Sequence, residues 1–89
     1  MPRVIFTPHL SRHLDAPPQT VEATTVREAL AAAFAANKPL ADYIVDERFR
    51  MRKHVTIFVD GKPLVDRDEM SDPVGSTSEI YVLQALSGG

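Results

Sequence analysis

The sequence predicts one small α+β domain in which a main helix covers one face of a mixed β-sheet. Three observations predict it. Residues 25–37 form an alanine-rich amphipathic segment, several short runs alternate as strands do, and an Asp-Gly pair separates two of those runs. With 89 residues the chain has room for one hydrophobic core. We assign residues 1–86 to a single domain and residues 87–89 to a flexible C-terminal Ser-Gly-Gly tail.

The helix signal is the clearest in the sequence. Thr25, followed three residues later by Glu28, is a capping-box pattern. Apolar residues then recur at helical spacing and predict one buried stripe, made of Val26, Ala29, Leu30, Ala33 and Phe34. Asn37 and Pro39 predict the end of the helix. Residues 40–44 predict one further short helical turn.

Strands are predicted on both sides of this helix. Val4–Thr7 and Thr20–Thr24 precede it, and His54–Val59 follows it. The last strand is predicted over Glu79–Leu86. With a right-handed crossover, this order gives the β-grasp arrangement, in which the first and last strands pair in parallel at the centre of the sheet.

A hairpin is predicted after the third strand. Asp60-Gly61 is a dipeptide typical of two-residue type I′ turns, so Lys62–Val65 is expected to return as a short fourth strand. Pro63 cannot donate a backbone hydrogen bond and therefore places that strand at an edge of the sheet.

A sheet with one covering helix leaves its second face to solvent or to a partner. Alternation assigns Val4, Phe6, Ile57, Val59, Ile80 and Val82 to the helix side, and Ile5, Phe58, Tyr81 and Leu83 to the other side. An apolar surface of this kind usually serves a partner. The alternatives are that loops cover this face or that the strand parity is inverted.

Composition excludes several classes of function. Ten basic and twelve acidic residues give a net charge of −2, which offers no general attraction to nucleic acid or anionic membranes. Zero cysteines exclude disulfides, a thiolate nucleophile and Cys-ligated metals. No segment resembles a signal peptide or a membrane span, so we expect a cytoplasmic protein. No catalytic constellation is recognisable, and we expect no enzymatic activity.

Three polar clusters contain residue types that could form a binding site. His9 and His13 have a metal-compatible spacing but no third ligand nearby, and we expect no bound metal. The cations of Arg48–Lys53 interleave with Phe49 and Met51, which fits either a phosphate-contacting ribbon or, because acidic residues precede them, a solvated connection. Acidic residues over 60–72 match no Ca²⁺ loop, and a solubilising rim facing a basic partner is the simpler interpretation.

The C-terminal Gly88-Gly89 pair is a second functional signal. Glycine has no Cβ, so this dipeptide can thread a slot too narrow for other residues. The α-carboxylate behind it is ionised at neutral pH. We expect it to suit the active site of another enzyme, the alternative being a frayed terminus without a role.

Three segments together resemble the MoaD/ThiS family of ubiquitin-like sulfur carriers. They are Thr-Val-Arg-Glu-Ala-Leu at 25–30, Val-Thr-Ile-Phe-Val-Asp-Gly at 55–61 and Gln-Ala-Leu-Ser-Gly-Gly at 84–89. With the opening strand, the likeness spans nearly the whole chain and implies the β-grasp fold. Two departures are Asp60, where the family often has Asn, and residues 75–80, where the family often has a Gly-Asp-Glu-Val turn. They leave the biosynthetic pathway open.

The resemblance implies a carrier chemistry. An E1-like partner would use ATP and Mg²⁺ to adenylate the carboxylate of Gly89, and sulfur from a persulfide would displace AMP to leave a thiocarboxylate. A biosynthetic enzyme, as in molybdopterin or thiamin assembly, would accept the sulfur, and the chain itself would bind no cofactor. The implied partner surface is the open sheet face, with Phe58 and Leu83 at positions matching the family's apolar patch, joined by Ile5, Tyr81 and Leu86. The alternatives are a protein modifier joined through Gly89 or a non-catalytic interaction module.

Overall fold

The computed structural model describes residues 1–6, 17–53 and 55–84. The elements in chain order are β1 (Arg3–Phe6), β2 (Gln19–Thr20), α1 (Val26–Ala36), α2 (Lys38–Ile44), β3 (Val55–Val59), β4 (Lys62–Pro63) and β5 (Glu79–Gln84). The predictions for Thr7, for His9 and His13, for His54 and for residues 85–89 lie outside the described residues.

The described strands form a five-stranded mixed sheet in the order β2-β1-β5-β3-β4. β1 and β5 pair in parallel, and the other neighbours pair antiparallel. The first and last strands therefore meet at the centre, as predicted. β4, which contains Pro63, lies at an edge, where a missing backbone donor costs no ladder hydrogen bond.

Helix α1 begins where the capping pattern predicts. The hydroxyl of Thr25 accepts a hydrogen bond from the backbone N–H of Glu28 at 3.2 Å. The Glu28 carboxylate reaches one residue further back than a standard capping box, accepting from the backbone N–H of Thr24 at 2.8 Å. That backbone hydrogen bond is the main cause that lowers the pKa of Glu28. The helix ends at Asn37, whose N–H donates to the carbonyl oxygens of Ala33 and Phe34.

The core lies between α1 and one face of the sheet. Helix α1 buries the predicted stripe, namely Val26, Ala29, Leu30, Ala33 and Phe34. The sheet buries Val4, Phe6, Ile57, Ile80 and Val82 against it. The predicted strand parity is correct, and Val59 on the same side is only partly buried because it pairs with the edge strand.

The second strand is shorter than predicted. Only Gln19–Thr20 pairs with β1, although Thr20–Thr24 alternates as a strand does. Val21 N–H still donates to the carbonyl oxygen of Pro2, next to β1. The end of the run meets a distant loop, since Val74 N–H donates to the carbonyl oxygen of Thr24 and the next residue, Thr25, forms a bridge with Pro73. A non-local partner has replaced the ladder that the local pattern predicted.

Two further predictions need correction. The turn predicted after α1 is a seven-residue helix, α2, which begins with Pro39 in its first turn and buries Leu40 and Ile44. Residues 66–78, for which neither a helix nor a strand is predicted, contribute the fully buried Met70 to the core. Within the described ranges, no helix is long and apolar enough to cross a membrane.

Candidate partner-binding face

Four predicted residues share the sheet face opposite α1. Tyr81, on the central strand, is paired with Ile5 of β1 on one side and with Phe58 of β3 on the other. Leu83 lies two residues further along β5, on the same face, opposite Thr56. Because side chains directly across a ladder lie about 5 Å apart, these residues form one continuous surface. We call Ile5, Phe58, Tyr81 and Leu83 the apolar patch.

The apolar patch remains accessible within the described part of the chain. Tyr81 is 37% exposed, and the other three side chains are partly buried. Phe58, Tyr81 and Leu83, together with Gly61, line a shallow depression of about 240 Å³. An apolar surface that is neither packed in the core nor fully solvated is suited to a partner's apolar side chains.

The Asp60-Gly61 turn is the one predicted. Both residues have positive φ, 51° and 83°, as a type I′ hairpin requires. Asp60 also ties this turn to β5, because its N–H donates to the carbonyl oxygen of Glu79 and its carboxylate accepts from Glu79 N–H, both at 2.9 Å. No atom lies within 4 Å of where a Cβ on Gly61 would sit. The space beside Gly61 and Phe58 is therefore not filled by other described residues.

A polar pair borders the same face at the end where the Asp60-Gly61 turn meets β5. Arg3 and Glu79, paired across β1 and β5, form an ion pair at 3.3 Å with both side chains about half exposed. The Tyr81 hydroxyl donates to the second carboxylate oxygen of Glu79 at 3.5 Å. An exposed pair of this kind contributes at most about 1 kcal/mol to stability, so it serves mainly to set the polarity of the border.

The remaining predicted site residues lie outside the described part of the chain. They are Leu86, Gly88 and Gly89. The last described residue of β5 is Gln84, which pairs with Val55 at the start of β3. Leu83 is therefore the patch residue nearest in sequence to the predicted tail.

Two acidic residues after the hairpin, Asp66 and Asp72, hold the backbone of their own loop, whereas Asp68 and Glu69 are exposed. The Asp72 carboxylate accepts the backbone N–H groups of Val65 and Asp66, both at 2.9 Å. The Asp66 carboxylate accepts the Ser71 hydroxyl and the Glu69 N–H, and the Ser71 hydrogen bond is the main cause that lowers the pKa of Asp66. Within the described ranges, no group of three or more metal-ligating side chains converges.

The basic segment after α2 forms a compact turn. The Asp46 carboxylate accepts the backbone N–H groups of Arg48 and Arg50, and the Arg50 hydrogen bond is the main cause that lowers the pKa of Asp46. Phe49 adopts a positive φ of 61° and packs on Phe34, with ring centroids 5.7 Å apart. This geometry supports a structured connection for the backbone and leaves the cationic ends exposed.

Sequence reasoning missed three features of this region. Gly61 was identified only as a turn residue, although it also lines the depression. The Arg3–Glu79 pair was not predicted, although the parallel pairing of the first and last strands could have suggested it. The guanidinium of Arg27 lies 4.7 Å from the Phe49 ring centroid. That contact joins α1 to a distant loop, and no local pattern signals it.

No protein-family model matches the chain, and no curated protein sequence matches it. Solved structures do resemble it. SAMP1 from Haloferax volcanii is 16% identical, with a TM-score of 0.83 over 99% of this chain and 98% of that one. The Amycolatopsis orientalis BexX/CysO complex contains a chain that is 16% identical, with a TM-score of 0.83 over 100% of both chains.

A third similar structure comes from another archaeon. The small archaeal modifier protein 1 from Methanosarcina acetivorans is 18% identical, with a TM-score of 0.80 over 99% of this chain and 95% of that one. At such identities the likeness establishes the fold. The chain has the ubiquitin-like β-grasp fold, as its resemblance to the MoaD/ThiS family predicts.

Proposed function

We propose that this protein is a sulfur carrier that presents the carboxylate of Gly89 to an E1-like adenylyltransferase. The observation that carries the proposal is the accessible apolar patch, half of which stands on β5, the strand that leads toward the Gly88-Gly89 end. A partner that binds this face would contact β5 only a few residues before Gly88-Gly89 in the sequence. The β-grasp fold and the MoaD/ThiS resemblance support the same chemistry.

The proposed reaction places all activating chemistry on partners. The E1-like enzyme, with ATP and Mg²⁺, joins the Gly89 carboxylate to AMP and releases pyrophosphate. The terminal sulfur of a persulfide attacks the carbonyl carbon, the bond to AMP breaks, and a thiol then cleaves the resulting acyl disulfide. The products are a Gly89 thiocarboxylate and a disulfide, and a sulfur-accepting biosynthetic enzyme takes the sulfur onward. The chain contributes a binding face and a terminus, so it needs no acid, base or nucleophile of its own.

A second candidate is a protein modifier joined through Gly89 to lysines of other proteins. The observation that favours it is that two of the similar structures are named small archaeal modifier protein 1. Both candidates share the adenylation step and differ in what attacks the adenylate. A persulfide yields a carrier, whereas an amine yields a conjugate.

Intact mass spectrometry tests the proposal. The chain is incubated with an E1-like enzyme from the same genome, ATP, Mg²⁺ and a persulfide donor. We expect the terminal residue to gain one sulfur in place of one oxygen, with AMP released in equal amount. An unchanged mass and no AMP would contradict both candidates and leave the non-catalytic interaction module. High-mass conjugates retaining this chain would favour the modifier.

Deletion of Gly88-Gly89 is the matched control. We expect the shortened chain to lose adenylation and to keep the unfolding midpoint of the full chain, because chain termini usually tolerate truncation with little loss of stability. Adenylation that persists after deletion would show that another carboxylate is the acceptor, and would contradict the proposal.

A further inference from the structure

Three cations surround the start of β3, at the end of the sheet where the chain leaves β5. The carbonyl oxygen of Arg52 accepts a hydrogen bond from Val55 N–H at 3.1 Å, and the guanidinium of Arg67 donates to the carbonyl oxygen of Val55 at 3.2 Å. Lys53 follows Arg52 in the same turn. Val55 is paired with Gln84, the last described residue of β5. We call Arg52, Lys53 and Arg67 the basic rim.

Within the described part of the chain, no cation of the basic rim forms an ion pair. All three side chains are exposed, and the one ion pair among the described residues joins Arg3 to Glu79, at the opposite end of β5. Arg52 donates through Nε to the carbonyl oxygen of Asp42 at 2.7 Å. A carbonyl oxygen carries no net charge, so these contacts orient the guanidinium groups while leaving their positive charge available to a partner.

The acidic residues nearest in sequence offset this charge only in part, because Asp46 attracts Arg52 without forming an ion pair with it. The Asp46 and Asp66 carboxylates accept backbone N–H groups within their own turns. Neither these two nor Asp42, Asp68 or Glu69 forms an ion pair with the basic rim. The rim therefore presents three exposed cationic side chains, none of them in an ion pair with a described residue, on a chain whose net charge is −2.

We propose that the basic rim docks against an acidic protein surface beside the slot that receives residues 85–89. The inference rests on the proposed function and adds the charge of the partner at a second contact, separate from the apolar patch. Charges at the border of an interface steer association and set its salt dependence. A partner that contacts both the apolar patch and the basic rim would bind this end of the sheet at two places, near the residue where β5 ends.

Chain length favours a protein surface over the nucleotide as the rim's partner. Residues 85–89 can span at most about 17 Å when extended. Charges are largely screened beyond about 8 Å at physiological ionic strength. A phosphate at the far end of such a span would feel the rim weakly, whereas an acidic side chain at the mouth of the slot would lie within direct range.

One charge reversal and a matched control test the inference with the E1-like enzyme. Lys53→Glu reverses a rim charge, and Lys62→Glu makes the same change in net charge on β4, at the other end of β3. Both lysines are exposed. The measurement is ATP–pyrophosphate exchange against chain concentration at low and high ionic strength.

For Lys53→Glu we expect KM to rise at least about fivefold at low ionic strength, with kcat unchanged and the difference disappearing at high ionic strength. Lys62→Glu should stay within about twofold of the unchanged protein. Equal effects from the two variants, or an effect of Lys53→Glu that salt does not alter, would overturn the inference.

A titration without the enzyme separates this inference from the proposed function. Amide chemical shifts are followed while a ten-residue glutamate peptide is added. We expect the largest shifts at the basic rim, and their loss in Lys53→Glu. Shifts spread over the whole surface, or tighter binding of a single-stranded oligonucleotide of equal charge, would overturn the inference. If the unchanged chain supports no exchange, the proposed function fails, and the titration still decides whether the rim selects an acidic polypeptide.

Discussion

The two faces of the sheet are built from the same strands and differ in what covers them. On β5, Ile80 and Val82 are fully buried beneath α1, whereas Tyr81 between them is 37% exposed. The same contrast holds on β1 between Val4, which is fully buried, and Ile5, which is partly buried. Alternation along a strand thus separates residues that stabilise the fold from residues that are available to a partner.

Stability and partner recognition can therefore be changed independently in this very small domain, by substitutions on opposite faces of the sheet. A chain of 89 residues has a narrow margin, of order 5–10 kcal/mol, so a single core residue is a large share of it. The apolar patch can be rich in large side chains because folding does not depend on burying them fully.

The largest effect is expected from neighbours on β5. Ile80→Ala should lower the free energy of unfolding by about 2–5 kcal/mol, because it leaves a cavity beneath α1. Tyr81→Ala should cost about 1 kcal/mol, since its ring is only partly removed from water. Urea unfolding monitored by circular dichroism measures both. Equal losses of stability would show that the second face is also part of the core, and would contradict the distinction between the two faces.

The opposite effect is expected on partner binding. Leu83→Asp should raise the KM for adenylation at least about tenfold while lowering the free energy of unfolding by no more than about 1 kcal/mol. Its control is Val65→Asp, which adds the same charge at a side chain that is 86% exposed and lies outside the apolar patch. A Leu83→Asp chain that fails to fold, or a control with the same KM, would contradict the assignment of the open face.

Removing the N-cap hydrogen bond of α1 should lower the stability of the fold without changing partner binding. Thr25→Ala removes the hydroxyl that accepts from Glu28 N–H and should cost about 1 kcal/mol of stability, with adenylation kinetics unchanged below the unfolding temperature. Thr25→Ser keeps the hydroxyl and should stay within a few tenths of a kcal/mol of the unchanged protein. Thermal unfolding of the three chains provides the measurement.

Low pH should lower the free energy of unfolding, because it protonates a carboxylate that holds the loop after β4. The pKa of Asp66 is lowered from 3.8, so the unfolded state binds its proton more readily. Its stabilising contribution is present above that ordinary value and is lost as the pH falls through the lower folded pKa. Asp66→Asn should therefore make unfolding less dependent on pH below about 4. Chemical unfolding of the two chains between pH 7 and pH 2 would reveal the difference, and an identical pH dependence for both would contradict it.

Local signals predicted most of the fold. The capping pattern at Thr25 and the Asp60-Gly61 turn were confirmed because their hydrogen bonds and dihedral angles involve residues at most a few positions apart. The strand parity was predicted for the same reason, since alternation follows from backbone geometry. The four patch residues were thereby assigned to one face before any long-range pairing was known.

The candidate site was less accessible to sequence reasoning where it depends on distant contacts. Gly61 lines the depression only because the hairpin returns beside Phe58 and Tyr81. The basic rim exists only because Arg67, on the loop after β4, reaches the carbonyl oxygen of Val55. Neither arrangement has a signature in residue spacing.

From the sequence alone came the class of fold, the helix and its cap, the hairpin, the two faces of the sheet and the Gly88-Gly89 end. The folded structure was needed to show that β2 comprises Gln19–Thr20 and that Met70 belongs to the core. It was also needed to show that a basic rim borders the end of β5. The physical reason is the range of the interactions. Turns, caps and alternation are set by neighbours along the chain, whereas competition between a strand and a loop for the same backbone groups is settled only when the chain is folded.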